Sequence, residues 1–155
     1  MSHVTVRISS TIGSATTARD CAWIRGAGAE TAIGWGHVVG TLCPDGDEAE
    51  ALVVMREPAL PGVDVAAEPV ALLHVTGSAD REEILCVADD PTLSDLVHGQ
   101  GVLPSDGPMR AWAGALARLT AEPVDVYDEC GSRADAENAL AHDRLAYLRS
   151  TGYLD

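Results

Sequence analysis

The sequence predicts an α+β protein: a small closed antiparallel β-barrel with two α-helices packed outside it, in a single domain over residues 1–155. Three observations carry this expectation. Up to residue 89, short apolar segments alternate with turn residues at the spacing of a rolled sheet. Beyond residue 89 the apolar period becomes that of a helix. The 155 residues, 46% of them apolar, suffice for one core, and no linker, repeat or low-complexity tract divides them.

Val4-Thr5-Val6-Arg7-Ile8 alternates as a first strand. Residues 9 to 34 are small and turn-rich, with one apolar island at Cys21-Ala22-Trp23-Ile24. A second strand is expected over His37–Leu42, ending at Cys43-Pro44-Asp45-Gly46-Asp47. That turn has a mechanism: proline presets φ, aspartate bonds its own backbone and glycine accepts positive φ. Ala51–Met55 reads as a buried strand, Pro58–Gly62 as a turn and Val63-Asp64-Val65 as a further extended piece. Pro69–Val75 and Glu83–Val87 flank the polar residues Thr76–Glu82 as a hairpin would. Met109, Trp112, Ala113, Leu116 and Leu119 share one helix face, and Ala141, Leu145 and Leu148 share another. Ser132 reads as the N-cap and Gly152 as the stop of the last helix, with Val124–Tyr127 as a strand between the two.

Composition excludes several functions. The 24 acids against 10 bases give a net charge of −14, which argues against nucleic acid and against an anionic membrane surface. All the bases are arginine, which removes Walker-A phosphate binding, Schiff-base chemistry and lysine general bases. The absence of phenylalanine, with only 4% aromatic residues, argues against a base-stacking platform. No apolar run spans a bilayer, and Met1–Arg7 does not read as a secretion leader. Cys21, Cys43, Cys86 and Cys130 form no C-x-x-C pair and complete no zinc pattern, so reduced thiols in a cytoplasmic protein are expected.

The densest chemical signal is Asp45-Gly46-Asp47-Glu48-Ala49-Glu50, at a strand end. Carboxylates gathered on a turn can hold a hard divalent cation, and their repulsion raises at least one pKa towards general-base use. The segment is not an EF-hand loop, since its sixth position is Glu50 and its twelfth Arg56. Composition leaves two readings open, an exposed acidic hairpin turn and a metal site. His37, two residues after Trp35, is the better catalytic histidine. His74 alternates with Val70 and Leu72, which suits a core or interface histidine as well as a substrate contact. Arg81, Arg110 and Arg118 read as helix-face and loop charges.

The succession Gly34-Trp35-Gly36, Gly40-Thr41-Leu42, Asp45-Gly46-Asp47, Ala51-Leu52-Val53-Val54, Glu57-Pro58, Pro61-Gly62-Val63 and Pro69-Val70 resembles the soluble family I inorganic pyrophosphatases. The matches run without a gap from Gly34 to Thr76. The resemblance implies an OB-like barrel with flanking helices, a homo-oligomer and magnesium-dependent hydrolysis of diphosphate. In the family's acidic loop the outer carboxylates bind metal and the middle one activates water. That pattern places metal on Asp45 and Glu50 and water activation on Asp47. The expectation for this chain is metal binding by Asp45, Asp47 and Glu50 and catalysis by Asp47 and Glu50, with His37 as a further catalytic candidate.

The departures from the family pattern bear on function. Trp35 stands where the family has a tyrosine, and Glu50 is one methylene longer than the aspartate it replaces. The family's next hairpin carries two metal-binding aspartates and a phosphate-binding lysine. This chain has Gly77-Ser78-Ala79-Asp80-Arg81-Glu82-Glu83 there, with glycine at the first aspartate position. Losing one preorganised cation costs ~10²–10³ in rate. The expectation is therefore a repurposed pyrophosphatase-like enzyme of small-molecule biosynthesis, with Trp35 and His74 as substrate contacts and weakly held magnesium or none. The alternatives are a residual magnesium-dependent diphosphate hydrolase and a non-catalytic binding or scaffold protein.

Overall fold

A computed structural model describes residues 3–13, 31–94 and 109–152, together with residues 16, 17, 19, 21 and 24. Ala22 and Trp23 of the apolar island lie outside the described residues. Among the described residues six strands occur, β1 (Val4–Ile12), β2 (Ala32–Val38), β3 (Glu50–Met55), β4 (Asp64–Thr76), β5 (Arg81–Ala88) and β6 (Asp125–Gly131), followed or interrupted by α1 (Ala113–Thr120) and α2 (Arg133–Ser150). The strand order is β1-β2-β3-β5-β4-β6, and an additional β1–β4 ladder closes the first five strands into a ring. Four ladders of that ring are antiparallel, including the expected β4–β5 hairpin, and the β3–β5 ladder is parallel, which departs from the antiparallel barrel expected from the sequence.

One long strand makes closure possible. The start of β4 pairs with β1 over Asp64–Ala67, and the rest pairs with β5 and β6. The β4–β5 register shifts between Pro69 and Ala71, where a proline without an N–H can sit in a central strand and the strand can bend. The two extended pieces expected at Val63–Val65 and Pro69–Val75 are thus one strand. The second strand also differs from the expectation: it runs over Ala32–Val38, and Val39-Gly40 forms a turn with Gly40 at φ +78°. The apolar run Val38-Val39 suggested a later strand, but Gly36 is tied to β1, where a Cβ would run into the Arg7 carbonyl.

The core follows the pattern of the strands. Val4, Val6 and Ile8 alternate inward along β1, whereas Ala51–Met55 are buried on both faces of β3. A 3-10 turn at Met109–Trp112 leads into α1, and Trp112, Leu116 and Leu119 are buried, as their spacing predicts. Helix α2 begins with a reciprocal cap: Ser132 Oγ accepts from Asp135 N at 3.2 Å and Asp135 Oδ2 accepts from Ser132 N at 2.8 Å. Its buried residues are Ala136 and Leu140, while Leu145 is 46% exposed, so the face expected from Ala141, Leu145 and Leu148 is not the one against β4. No helix among the described residues is long and apolar enough to cross a membrane.

Candidate functional site

The acidic segment is a rigid turn beside β3. Cys43 N donates to Asp47 O at 2.8 Å, Gly46 N to Cys43 O at 2.9 Å and Asp47 N to Asp45 Oδ1 at 3.0 Å. Gly46 has φ +94°, a conformation that costs glycine little. Thr41 Oγ1 accepts from Ala49 N at 2.9 Å and donates to Val38 O at 2.7 Å, which pins the turn to β2. From α2, the Asp143 carbonyl accepts from Leu42 N at 3.0 Å, and its carboxylate accepts from the Cys43 thiol at 3.4 Å. Burial and Asp143 push that thiol up to about 12, so Cys43 is a packed thiol and not a nucleophile.

These anchors frame a cleft of about 330 Å³. It is lined by Asp45, Asp47, Glu48 and Glu50 from the turn, Asp80, Arg81 and Glu82 from the β4–β5 hairpin, and Asp143 from α2. A second recess of about 590 Å³ adjoins it, shares Asp80, Arg81 and Glu82, and adds His74, Tyr127 and Asp128. His74 Nδ1 lies 3.5 Å from Glu82 Oε2, and its side chain is 43% exposed. It is therefore a recess-lining residue and not a core histidine.

Behind the cleft wall lies a charged cluster built by strand register. Glu50 of β3 and Glu83 of β5 are partners in the parallel ladder, so their side chains meet on one face. Arg81 precedes Glu83 by two residues and reaches the same face. Its Nε lies 3.0 Å from Glu50 Oε1 and donates to Glu83 Oε2 at 3.2 Å, and its Nη1 lies 3.0 Å from Glu122 Oε1. Trp35 of β2 donates its indole Nε1–H to Glu83 Oε1 at 3.0 Å. Glu83 has no exposed surface. Burial, and next its hydrogen-bonding contact with Glu50, hold its carboxyl well above the usual range, while Trp35 and Arg81 pull the other way.

The sequence-derived residues divide accordingly. Asp45, Asp47 and Glu50 line one cleft, and His74 lines the adjoining recess. His37 stands opposite Glu50 in the β2–β3 ladder, with its ring edge-on to Trp35 at 5.2 Å between centroids, and is not among the cleft-lining residues. Trp35 acts on the site through Glu83. Among the described residues no three carboxylate, imidazole or thiol groups stand together as the ligand set of a metal ion. Asp45 Oδ1 accepts from the Asp47 amide, and Glu50 Oε1 lies against Arg81 Nε at 3.0 Å. Sequence reasoning missed Glu83, Glu122 and Asp143, and took Arg81 for a loop charge. The signal for Arg81 and Glu83 was their two-residue spacing at the start of an apolar strand, where one charged face has to be buried.

Comparison with known proteins agrees with this architecture. The family model described as inorganic pyrophosphatase matches residues 26–144. An inorganic pyrophosphatase of a Synechocystis species is 41% identical over 59 residues, 37% of this chain and 35% of that protein. One of a Nostoc species is 38% identical over 72 residues, 45% of this chain and 43% of that protein. The chain thus aligns with less than half the length of these curated relatives. Among solved structures, the inorganic pyrophosphatase of Thermus thermophilus superposes with a TM-score of 0.58 at 23% identity, covering 74% of this chain and 68% of its own. A pyrophosphatase of Trypanosoma brucei brucei gives 0.61 at 12% identity over 96% of this chain and 54% of its own. With more than half of its residues matched by the family model, the chain belongs to the inorganic pyrophosphatase family.

Proposed function

We propose that this member of the family is an enzyme acting on a small organic substrate held in the acid cleft, by acid/base chemistry from Asp47 and Glu50, and not an efficient pyrophosphatase. The observation that carries this reading is the charge of the cleft. Its described lining has seven carboxylate side chains and a single base, Arg81, which already contacts Glu50, Glu83 and Glu122. Pyrophosphate and its transition state are multiply anionic and need several preorganised cations, each worth ~10²–10³ in rate. The sequence contains no lysine to supply them.

The roles follow from exposure. Asp47 stands at the exposed mouth, where it can exchange a proton with substrate or water. Glu50, 26% exposed, offers a second carboxyl behind it. Trp35 and His37 back this wall, and His74 contributes a face of the adjoining recess to an organic substrate. Residual magnesium-dependent diphosphate hydrolysis is the second reading, favoured by family membership and by the retained Asp45-Gly46-Asp47 turn. The four cysteines, none of them in a disulfide, support a place in the reducing cytoplasm, and light scattering would test the homo-oligomer that the family suggests.

Phosphate release from pyrophosphate with Mg²⁺ tests the main reading, and absent or very slow turnover is expected. A turnover number within tenfold of ~10 s⁻¹, typical of enzymes, would overturn it in favour of the second reading. With an organic substrate found by metabolite screening, Asp47→Asn should lower turnover ~10²-fold. Unchanged turnover in that variant would remove Asp47 from the chemistry.

A further inference from the structure

We propose that Arg81 is a built-in cation, which occupies the carboxylate cluster behind the cleft in the place a divalent metal ion would otherwise take. The argument starts from backbone register. The parallel β3–β5 ladder forces Glu50 and Glu83 onto one face, and Glu122 approaches from beyond α1. Carboxyl groups brought together in a poorly solvated place require a proton, a metal ion or a basic side chain. Here Arg81 supplies the third, beside a Glu83 carboxyl held towards its protonated form. The Arg81 side chain is only 20% exposed, and its guanidinium reaches all three glutamates within 3.2 Å. Its planar fork of donors fixes directions that a compact ammonium would not.

A detail of the hydrogen bonding supports a cation's place more than an ordinary surface ion pair. Glu50 Oε1 is buried and lies 3.0 Å from Arg81 Nε, whose N–H is directed to Glu83 Oε2. Its contact with Arg81 is therefore one of opposite charges and not a hydrogen bond. Removing the guanidinium would leave Glu50 and Glu122 as strong oxygen donors around an emptied position, beside Glu83, and hard divalent ions take such donors.

The experiment is a titration with Mn²⁺ alone on the full chain, read by calorimetry and by the thermal midpoint with and without a chelator. It needs no substrate, so its failure is separate from failure of the proposed activity. Wild type is expected to show no saturable binding below about millimolar and a midpoint indifferent to the chelator. Arg81→Ala should gain at least tenfold in Mn²⁺ affinity, lose the gain when combined with Glu50→Gln, and become chelator-sensitive. Arg81→Lys should behave as wild type. Saturable binding in wild type that Glu50→Gln abolishes would overturn the proposal whatever the arginine variants do. So would a folded Arg81→Ala that binds no tighter than wild type.

Discussion

Asp45 and Asp47 stand in water at the mouth of the cleft, whereas Glu83, on the adjoining sheet face, has none of its surface exposed. The same functional group does different work in the two places. At the mouth, a carboxylate keeps its hydration and is free to take part in chemistry without a large cost to the fold. In the wall, the desolvation penalty has to be met by partners, and Glu83 has Trp35, Arg81 and Glu50 for that purpose. The wall is therefore expected to govern stability and its pH dependence, and in the proposed reading the mouth governs reactivity.

The strongest way to break this contrast is Glu83→Ala. It removes a fully buried side chain and leaves the Trp35 indole N–H without its acceptor. Together, cavity and orphaned donor should cost about 2–4 kcal/mol in urea unfolding. A loss below about 1 kcal/mol would show that the wall cluster is not integral to the fold. Trp35→Phe is the milder probe of the same contact. It keeps most of the aromatic packing and deletes only the hydrogen bond to Glu83, so about 1–2 kcal/mol is expected.

The pH dependence sharpens the comparison. Because the folded state holds the Glu83 carboxyl above the ordinary range, the folded protein binds a proton that the unfolded chain has already released. Its contribution to stability is fully present below the unfolded pKa and is lost as pH rises through the folded one. Between those limits the slope can reach about 1.4 kcal/mol per pH unit. Glu83→Gln mimics the protonated form and should flatten the decline seen in wild type on the alkaline side of the ordinary carboxylate range. Parallel stability curves for the two proteins would contradict the assignment.

The contrast also explains what could be read from the sequence. The mouth was legible because turn chemistry is local: Pro44, Asp45 and Gly46 announce the turn and its acids in three consecutive residues. The helix around Trp112 and Leu116 and the Ser132 cap were legible for the same reason. The wall was not, because it depends on a parallel pairing of strands separated by the whole of β4. Without that register, Glu83 looks like a polar strand start and Arg81 like a loop charge. The position of β2 was misjudged because the apolar Val38-Val39 outweighed the smaller residues Ala32–Gly36, whose place in the sheet is set by a close approach to β1. Helix α2 buries Ala136 and Leu140 because β4 passes under its first half, which helical periodicity alone cannot show.

The smallest expected effect is the stability change of Asp47→Asn, and its smallness is the point. Asp47 is exposed, and its backbone N–H, not its carboxylate, makes the turn's hydrogen bond to Asp45 Oδ1. The substitution keeps shape and that bond while removing one negative charge from a turn crowded with acids. Surface changes of this kind fall within about 0.5 kcal/mol, and relief of repulsion here favours the variant if anything. Thermal and urea unfolding of Asp47→Asn should therefore match wild type within that margin, in contrast to Glu83→Ala. A loss above 1 kcal/mol would mean that the Asp47 carboxylate holds the turn together. Any fall in activity could then no longer be read as the loss of a base, and the division between a reactive mouth and a structural wall would fail.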